Sequence, residues 1–186
     1  MVVSQFIKQV HHSIVAWKTA LCLVFSVIFM IFNAENSLAS QNKDSCQAEI
    51  VKYEQIYQIP TGLLASIAKI ESGFNPYALN DGERGYFFAN KELLIEKANE
   101  LINAGHTSFD VGCLQLNYGW HGKHFNSISE MINNEANVGY AAKLLSDLYK
   151  YQGSWQKAVR LYHSNIAKHH KPYSRKVILA WMNHVN

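Results

Sequence analysis

Apolar residues recur three and four positions apart along most of the chain beyond residue 45, which is the spacing of helices with one buried face. In the second of these segments the predicted inward stripe consists of Leu63, Leu64, Ile67 and Ile70. Pro60 and Pro172 stand where a helix tolerates a missing N–H, at its first turn. The pattern predicts helices over 46–59, 60–71, 91–105, 135–153, 155–164 and 172–185, and a short one after the capping box Ser-Ile-Ser-Glu at 127–130.

Strand signals are few. Residues 77–90 read as extended or looped, and the alternating segments 84–88 and 107–111 are predicted to pair as a small antiparallel ribbon. The predicted fold is therefore mainly α, with a minor hairpin, in a single domain.

The first 39 residues have a different pattern. Lys8 and Lys18 precede an apolar run at 20–32, which is shorter than the ~20 residues that span a bilayer. Ser37 and Ala39 supply the small residues that a signal peptidase needs. We therefore expect a signal peptide over 1–39 and a mature domain over 40–186 in the periplasm. An uncleaved inner-membrane anchor that leaves the domain facing the periplasm is the alternative.

Composition and cysteine usage agree with an exported, folded domain. The chain has 186 residues, 48% of them hydrophobic and 17% charged, and its net charge of +3 is too small to indicate a nucleic-acid-binding protein. Cys22 lies in the predicted signal peptide, which leaves Cys46 and Cys113. In an oxidising compartment this pair is most simply a disulfide, and two free buried thiols are the alternative.

Glu71 stands where an apolar helix meets a run of turn residues, "ESGFNP". Desolvation and the negative end of the helix dipole both disfavour the anion, so both should raise the pKa of this carboxyl. A Glu that keeps its proton near neutral pH is a general acid of the kind that glycosidic bond cleavage requires. The alternative is a solvated carboxylate at the end of a helix.

Four segments in order, "ESGFNP", "DVGCLQLN", "NVGYAAKLL" and "WQKAVRLYHS", resemble the lytic transglycosylase domain of the lysozyme-like superfamily. The resemblance runs from about Cys46 to Ser164. It implies a lysozyme-like α+β fold with a small hairpin, peptidoglycan glycan strands as substrate, and no cofactor or metal. Cys46 and Cys113 resemble the disulfide of one branch of the family.

The resemblance implies roles only at matched positions. Glu71 matches the catalytic acid/base, and Ser72 matches a Ser that orients it. Gln115 matches a Gln that contacts substrate sugars, Asn137 an Asn that holds the site together, and Tyr162 a Tyr whose hydroxyl reaches the catalytic carboxyl.

Further aromatic and polar residues flank these motifs. Asn117 and Tyr118, just after Gln115, are further candidates for substrate binding, and Trp120 is expected to line the same groove. Two features depart from the family pattern, namely His163 after the tyrosine of the last motif and an insert between Glu71 and Gln115. They leave the acid in place and bear on substrate preference.

The resemblance implies cleavage between N-acetylmuramic acid and N-acetylglucosamine without water. Glu71 protonates the bond and then takes a proton from the sugar's 6-hydroxyl, which closes a 1,6-anhydro ring. A hydrolase usually needs a second carboxylate. Among the nearby carboxylates, Asp81 is expected to form a turn and Asp110 is expected to be tied to a backbone N–H. The rivals are a hydrolytic muramidase and a non-catalytic peptidoglycan-binding assembly protein.

Three weaker expectations complete the sequence analysis. His121 and His124 have a spacing seen in zinc sites, but no third ligand is indicated, so no metal is expected. The chain beyond Asp147 is basic, which fits either attraction to an anionic wall polymer or membrane surface, or a solvated helix face. By analogy alone, wall cleavage by a small exported domain would suit an envelope-spanning secretion or conjugation machine.

Overall fold

The computed structural model describes residues 45–185, and the predicted signal peptide lies outside them. Helices dominate, with a small sheet between them. The helices, in chain order, are α1 Cys46–Ile56, α2 Leu63–Glu71, α3 Lys91–Asn103, α4 Tyr118–His121, α5 Ile128–Met131, α6 Asn134–Gln152, α7 Trp155–His163 and α8 Ala167–Val185, with a 3-10 turn at Gly122–His124. The strands are β1 Ala78–Asn80, β2 Gly85–Phe87, β3 Asp110–Val111 and β4 Leu116–Asn117. The predicted lysozyme-like, mainly α class is confirmed.

The long helices pack in a closed chain of neighbours. Helix α6 lies against α1 and α7, and α8 lies against α7 and α2. Residues from all of these helices are fully buried and form one core with the inner face of the sheet. Each such side chain contributes roughly 1.5–3 kcal/mol of hydrophobic stabilisation. Helix α2, which ends at Glu71, is held in this core on the side of Leu63, Leu64, Ile67 and Ala68.

Helix ends were predicted less well than helix cores. Helix α2 begins at Leu63, after Gly62 in a left-handed conformation (φ 83°), and not at Pro60. Ile70 was predicted to face inward but is 36% exposed, and Ala68 is buried instead. Helix α8 begins at Ala167, so Pro172 lies inside the helix and does not open it. In both cases tertiary packing overrides a local signal.

The two segments that were predicted to pair as a ribbon do not pair with each other. Strand β2 pairs antiparallel with β1, and it is β1 that pairs with β3, with Leu79 opposite both Tyr86 and Val111. The sheet order is β2-β1-β3-β4. Asp81 makes the β1–β2 turn as expected, because its Oδ1 accepts from the N–H groups of Glu83 and Arg84. The two predicted segments thus belong to one sheet, but β1 separates them.

Cys46 and Cys113 form the predicted disulfide, with their Cα atoms 6.3 Å apart. The bond joins the first residue of α1 to the turn between β3 and β4. Because the two cysteines are separated by 67 positions, the cross-link restricts the unfolded chain by about 4 kcal/mol in the chain-entropy account. The sheet, and the turn that follows β3, are thereby tied to the helical core.

Among residues 45–185, no helix has both the length and the apolar character needed to cross a bilayer.

Candidate active site

A cleft of about 600 Å³ lies beside the end of α2, and Glu71 is one of its walls. The cleft takes its other residues from the sheet, from α4 and from the end of α7. They are Asn80, Asp110, Gln115, Leu116, Asn117, Trp120, His121, Leu144, Leu161, Tyr162, His163, Ser164, Asn165 and Ile166. The polar residues among them are the donors and acceptors that a sugar-binding cleft needs.

The carboxyl of Glu71 is partly buried at the last position of α2. The turn residues explain its place: Ser72 caps the helix and Gly73 follows with φ 62°, so the helix ends directly after Glu71. The pKa of Glu71 is raised to about 7, chiefly by desolvation and to a smaller extent by the charge of Asp110. The direction predicted from the sequence is confirmed, and burial is its main cause.

Two tyrosines, Tyr162 and Tyr173, interact electrostatically with Glu71. The Tyr173 hydroxyl favours the anion and partly offsets the effect of burial on the pKa of Glu71, although it forms no hydrogen bond of standard geometry. The Tyr162 hydroxyl donates to the carbonyl of Leu114 at 2.8 Å. Burial, followed by the charge of Glu71, raises the pKa of Tyr162 well above its usual value. Both phenols therefore stay neutral at physiological pH.

Asp110 is the second carboxyl of the cleft, and it is not held as the sequence analysis expected. It accepts a hydrogen bond from the side-chain amide of Asn117 at 2.8 Å, and not from a backbone N–H. Desolvation raises the pKa of Asp110 above its usual value. The cleft thus contains a pair of carboxyls, and the charge of Asp110 raises the cost of ionising Glu71.

The turn between β3 and β4 forms the floor of the cleft and depends on Asn137. The Asn137 side chain accepts from the N–H of Leu114 at 3.0 Å and donates to the carbonyls of Val111 and Met131. Gly112 has φ 80°, and a Cβ there would lie 2.5 Å from the Asn137 amide. Only glycine fits such a position, which gives the physical reason for the "VGC" of the second motif.

Ser72 and Asn137 are buried residues whose side chains hold the β3–β4 turn in place. The Ser72 hydroxyl donates to the carbonyl of Cys113 at 2.7 Å, which joins the end of α2 to the β3–β4 turn. Ser72 is 5% exposed and Asn137 is fully buried. Neither side chain lines the cleft.

Gln115 and Asn117 do face the cleft. Gln115 has φ 46°, a left-handed conformation that is strained for a side chain with a Cβ. Its amide donates to the carbonyls of Gly112 and Ala78 and so holds the strained turn against β1. Asn117 caps α4 by accepting from the N–H of Trp120.

The two aromatic residues after Asn117 have different places. The Tyr118 ring stacks on Phe109, with centroids 4.9 Å apart, and does not line the cleft. The Trp120 side chain lines the cleft and is 77% exposed. The sequence analysis placed both in the groove, and the structure brings only Trp120 there.

His121 and His124 pack against one tyrosine. Both imidazoles lie on Tyr140, with centroids 5.3 and 5.4 Å from its ring, and the Nδ1 of His121 is 3.0 Å from the Tyr140 hydroxyl. In the part of the chain that the structure describes, no cluster of three His, Cys, Asp or Glu residues has the geometry of a metal site.

Sequence reasoning missed two residues of the site. Tyr173 shares a spacing of four with Val177 and Trp181, so it reads as an ordinary core position. His163 was noted as a departure from the family pattern and was given no role. In the structure its ring stacks on that of Tyr173, with centroids 4.0 Å apart and planes within 8°, and it lines the cleft.

The comparisons with known proteins gave one match. A family model described as the transglycosylase SLT domain matches residues 49–177, which is well over half of the chain and includes every residue discussed in this site. No curated protein and no solved structure matches the chain.

Proposed function

We propose a specific reaction for this chain, which belongs to the transglycosylase SLT domain family and is therefore a peptidoglycan lytic transglycosylase. The reaction is cleavage of the β-1,4 bond between N-acetylmuramic acid and N-acetylglucosamine, in the periplasm, with formation of a 1,6-anhydro ring. Glu71 is the single acid and base. The observation that carries the proposal is the position of Glu71 in the cleft with a pKa of about 7.

The first step is proton transfer. The protonated carboxyl of Glu71 gives its proton to the oxygen that leaves with N-acetylglucosamine, and the bond from that oxygen to C1 of N-acetylmuramic acid breaks. A pKa near the working pH suits this task, because the acid is protonated in a large fraction of the molecules and is still strong enough to donate. The neighbouring Asp110 supports the protonated form.

The second step closes the ring. The carboxylate of Glu71 takes the proton of the 6-hydroxyl, and the oxygen of that group bonds to C1 of the same sugar. Glu71 is protonated again and no water is consumed. The Tyr173 hydroxyl favours the anion that exists between the two steps, so it assists the first proton transfer, from Glu71 to the leaving oxygen.

The mass of the product tests the proposal. Purified sacculi are digested with the enzyme, and the released muropeptides are analysed by mass spectrometry. We expect N-acetylmuramic acid ends that are one water lighter than the hydrolysis product. Reducing ends of full mass would instead indicate a muramidase. Its second carboxylate would be Asp110, the other carboxyl of the cleft.

A matched variant separates these two enzymes. Asp110→Asn keeps the size of the side chain. An anhydro-forming enzyme that uses Glu71 alone keeps most of its activity in this variant, whereas a two-carboxylate hydrolase loses it. Absence of any released muropeptide from the wild-type enzyme would instead support the non-catalytic binding protein. A service to a secretion or conjugation machine stays a prediction, because no feature of residues 45–185 bears on it.

A further inference from the structure

A basic segment begins at the edge of the cleft. Residues 163–166 line the cleft at the end of α7, and α8 starts with the next residue. Its first turns carry four consecutive basic side chains, which we call the basic lip: Lys168, His169, His170 and Lys171. Lys168, His169 and Lys171 are exposed, and His170 is half-buried.

The basic lip lies within electrostatic reach of the cleft. His163 is one of the cleft residues. Burial lowers the pKa of His163, and the charges of His169 and His170 lower it further. The backbone N–H groups of His169 and His170 both donate to the carbonyl of the cleft residue Ile166 at 3.0 Å, which places the start of the lip at the edge of the cleft.

The lysines of the lip have no anionic partner within the part of the chain that the structure describes. The ion pairs among residues 45–185 involve Lys52, Lys97, Lys143 and Lys150 and none of the residues of the lip. No acidic residue follows Asp147 in the sequence. The first turn of α8 has no acidic residue either, so the positive end of the helix dipole adds to the same field.

Only one part of peptidoglycan complements such a surface. The sugar rings are uncharged, whereas the peptide stems on the lactyl groups of N-acetylmuramic acid carry free carboxylates. A cationic surface attracts and orients such groups. A glycan strand in the cleft would bring its stems to the lip, because the lip is continuous with the wall of the cleft.

We propose that the basic lip binds carboxylates of the peptide stem, so that the enzyme prefers stem-bearing, ionised peptidoglycan. The proposal rests on the proposed function for its substrate. It assigns a task to the lip that the cleft alone does not need, and it replaces the two general interpretations of the basic C-terminal region by one ligand.

The experiment compares two forms of one substrate. Sacculi freed of covalently attached anionic polymers are used as they are, or after their carboxyl groups have been converted to amides with carbodiimide and ammonium ion. The test variant is K168Q/K171Q. The control variant K150Q/K157Q removes the same charge from exposed positions that do not line the cleft. Both cleavage rates and co-sedimentation are measured, the latter also with Glu71→Gln in each protein so that binding is seen without chemistry.

We expect K168Q/K171Q to lower binding and kcat/KM on untreated sacculi by about two- to tenfold, as for two partly exposed charge pairs. Amidation of the sacculi should lower the values of the wild type to a similar extent and should remove the difference between the wild type and this variant. The control should behave as the wild type on both substrates. Added salt should reduce the wild-type preference for untreated sacculi.

The possible failures are distinct. Equal wild-type binding to untreated and amidated sacculi, or an equal loss in the test and control variants, would overturn the role of the lip and leave the proposed function intact. Binding that follows the expected pattern without any cleavage would refute the proposed function alone. Co-sedimentation of the wild type, but not of K168Q/K171Q, with anionic phospholipid vesicles and equal binding to both sacculi would assign the lip to a membrane surface instead.

Discussion

A carboxyl lies at each end of helix α2, and the two carboxyls have opposite environments. At the N-terminal end, Glu54 reaches across from α1 and its oxygens accept from the N–H groups of Gly62, Leu64 and Ala65, at 2.9, 2.8 and 3.2 Å. At the C-terminal end, Glu71 meets a low-dielectric cleft, and burial raises its pKa to about 7.

The difference shows that the surroundings of a buried carboxyl determine what it does. Glu54 is 5% exposed and satisfies the free N–H groups of a helix that has no side-chain cap of its own. The helix dipole favours negative charge at that end and opposes it at the other. One Glu therefore caps the helix at its start, and the other has a raised pKa at its end and is the acid of the proposed reaction.

The sharpest test of the comparison is Glu71→Gln. It removes the acid and keeps the shape, so we expect cleavage of sacculi to fall by a factor of about 10²–10⁴. The thermal midpoint should stay the same or rise, because Gln carries no charge to desolvate. A dye-release assay and a melting curve check the two parts. Retained activity would remove Glu71 from the mechanism.

The converse variant is Glu54→Gln. It turns one acceptor oxygen into a donor that faces backbone N–H groups, and it should lower the free energy of unfolding by about 2–4 kcal/mol. Activity per folded molecule should stay close to that of the wild type. Urea unfolding measures the loss.

A matched control is Glu135→Gln, which removes an exposed carboxyl paired with Lys52 at 2.8 Å. Exposed ion pairs of this kind contribute little to stability. If Glu54→Gln costs no more than this control, the capping role of Glu54 is wrong.

The pH dependence of stability and of cleavage gives a further test of the raised pKa of Glu71. In the folded protein its pKa is about 7, against a reference value of 4.5, so the folded state binds the proton more tightly. Its stabilising contribution is complete below about pH 4.5 and is lost as the pH rises to about 7, by about 3 kcal/mol in total. Cleavage should fall by about tenfold per pH unit above 7.

Urea titrations of the wild type and of Glu71→Gln across this range measure the stability effect. The wild-type value should decline relative to the variant as the pH rises. A difference that is constant with pH would show that Glu71 has an ordinary pKa in the folded protein.

The smallest expected effect belongs to Tyr173→Phe. The Tyr173 hydroxyl lowers the pKa of Glu71, so its removal should shift the alkaline limb of the pH–rate profile upward by less than one unit. Stability should change by less than about 1 kcal/mol, since this hydroxyl has no hydrogen bond to lose.

Tyr162→Phe is the comparison for this variant. It removes a hydroxyl that donates to the carbonyl of Leu114 and should cost about 1 kcal/mol. An unchanged pH profile in Tyr173→Phe would show that its hydroxyl does not act on Glu71.

Local patterns predicted the helices well. The cores of α1, α2, α3 and α6 follow from apolar spacing, and Gly153 in a left-handed conformation ends α6 where the sequence indicated. Errors lie where a long-range contact competes with a local signal. Pro172 reads as a helix start, but α8 begins at Ala167. The partner of β2 could not be predicted, because strands of two or three residues carry almost no register information.

The candidate site was predicted in part. Glu71 and its raised pKa follow from an apolar helix that stops at turn residues, a feature of neighbouring positions in the chain. Asp110 was placed in the wrong hydrogen bond, and Tyr173 was not noticed at all. The sequence analysis placed both Tyr118 and Trp120 in the groove, but Tyr118 stacks on the ring of Phe109 instead.

The sequence by itself pointed to Glu71 as the acid of the proposed reaction, and it determined which stretches are helical and the identity of Cys46 and Cys113 as a pair. These follow from spacing, turn residues and parity, which are properties of short segments or simple counts. Only the tertiary structure decided how acidic Glu71 is, which residues surround it, and that Glu54 caps the same helix. Burial and hydrogen bonding between distant segments set these properties, and no local pattern records which segments will meet.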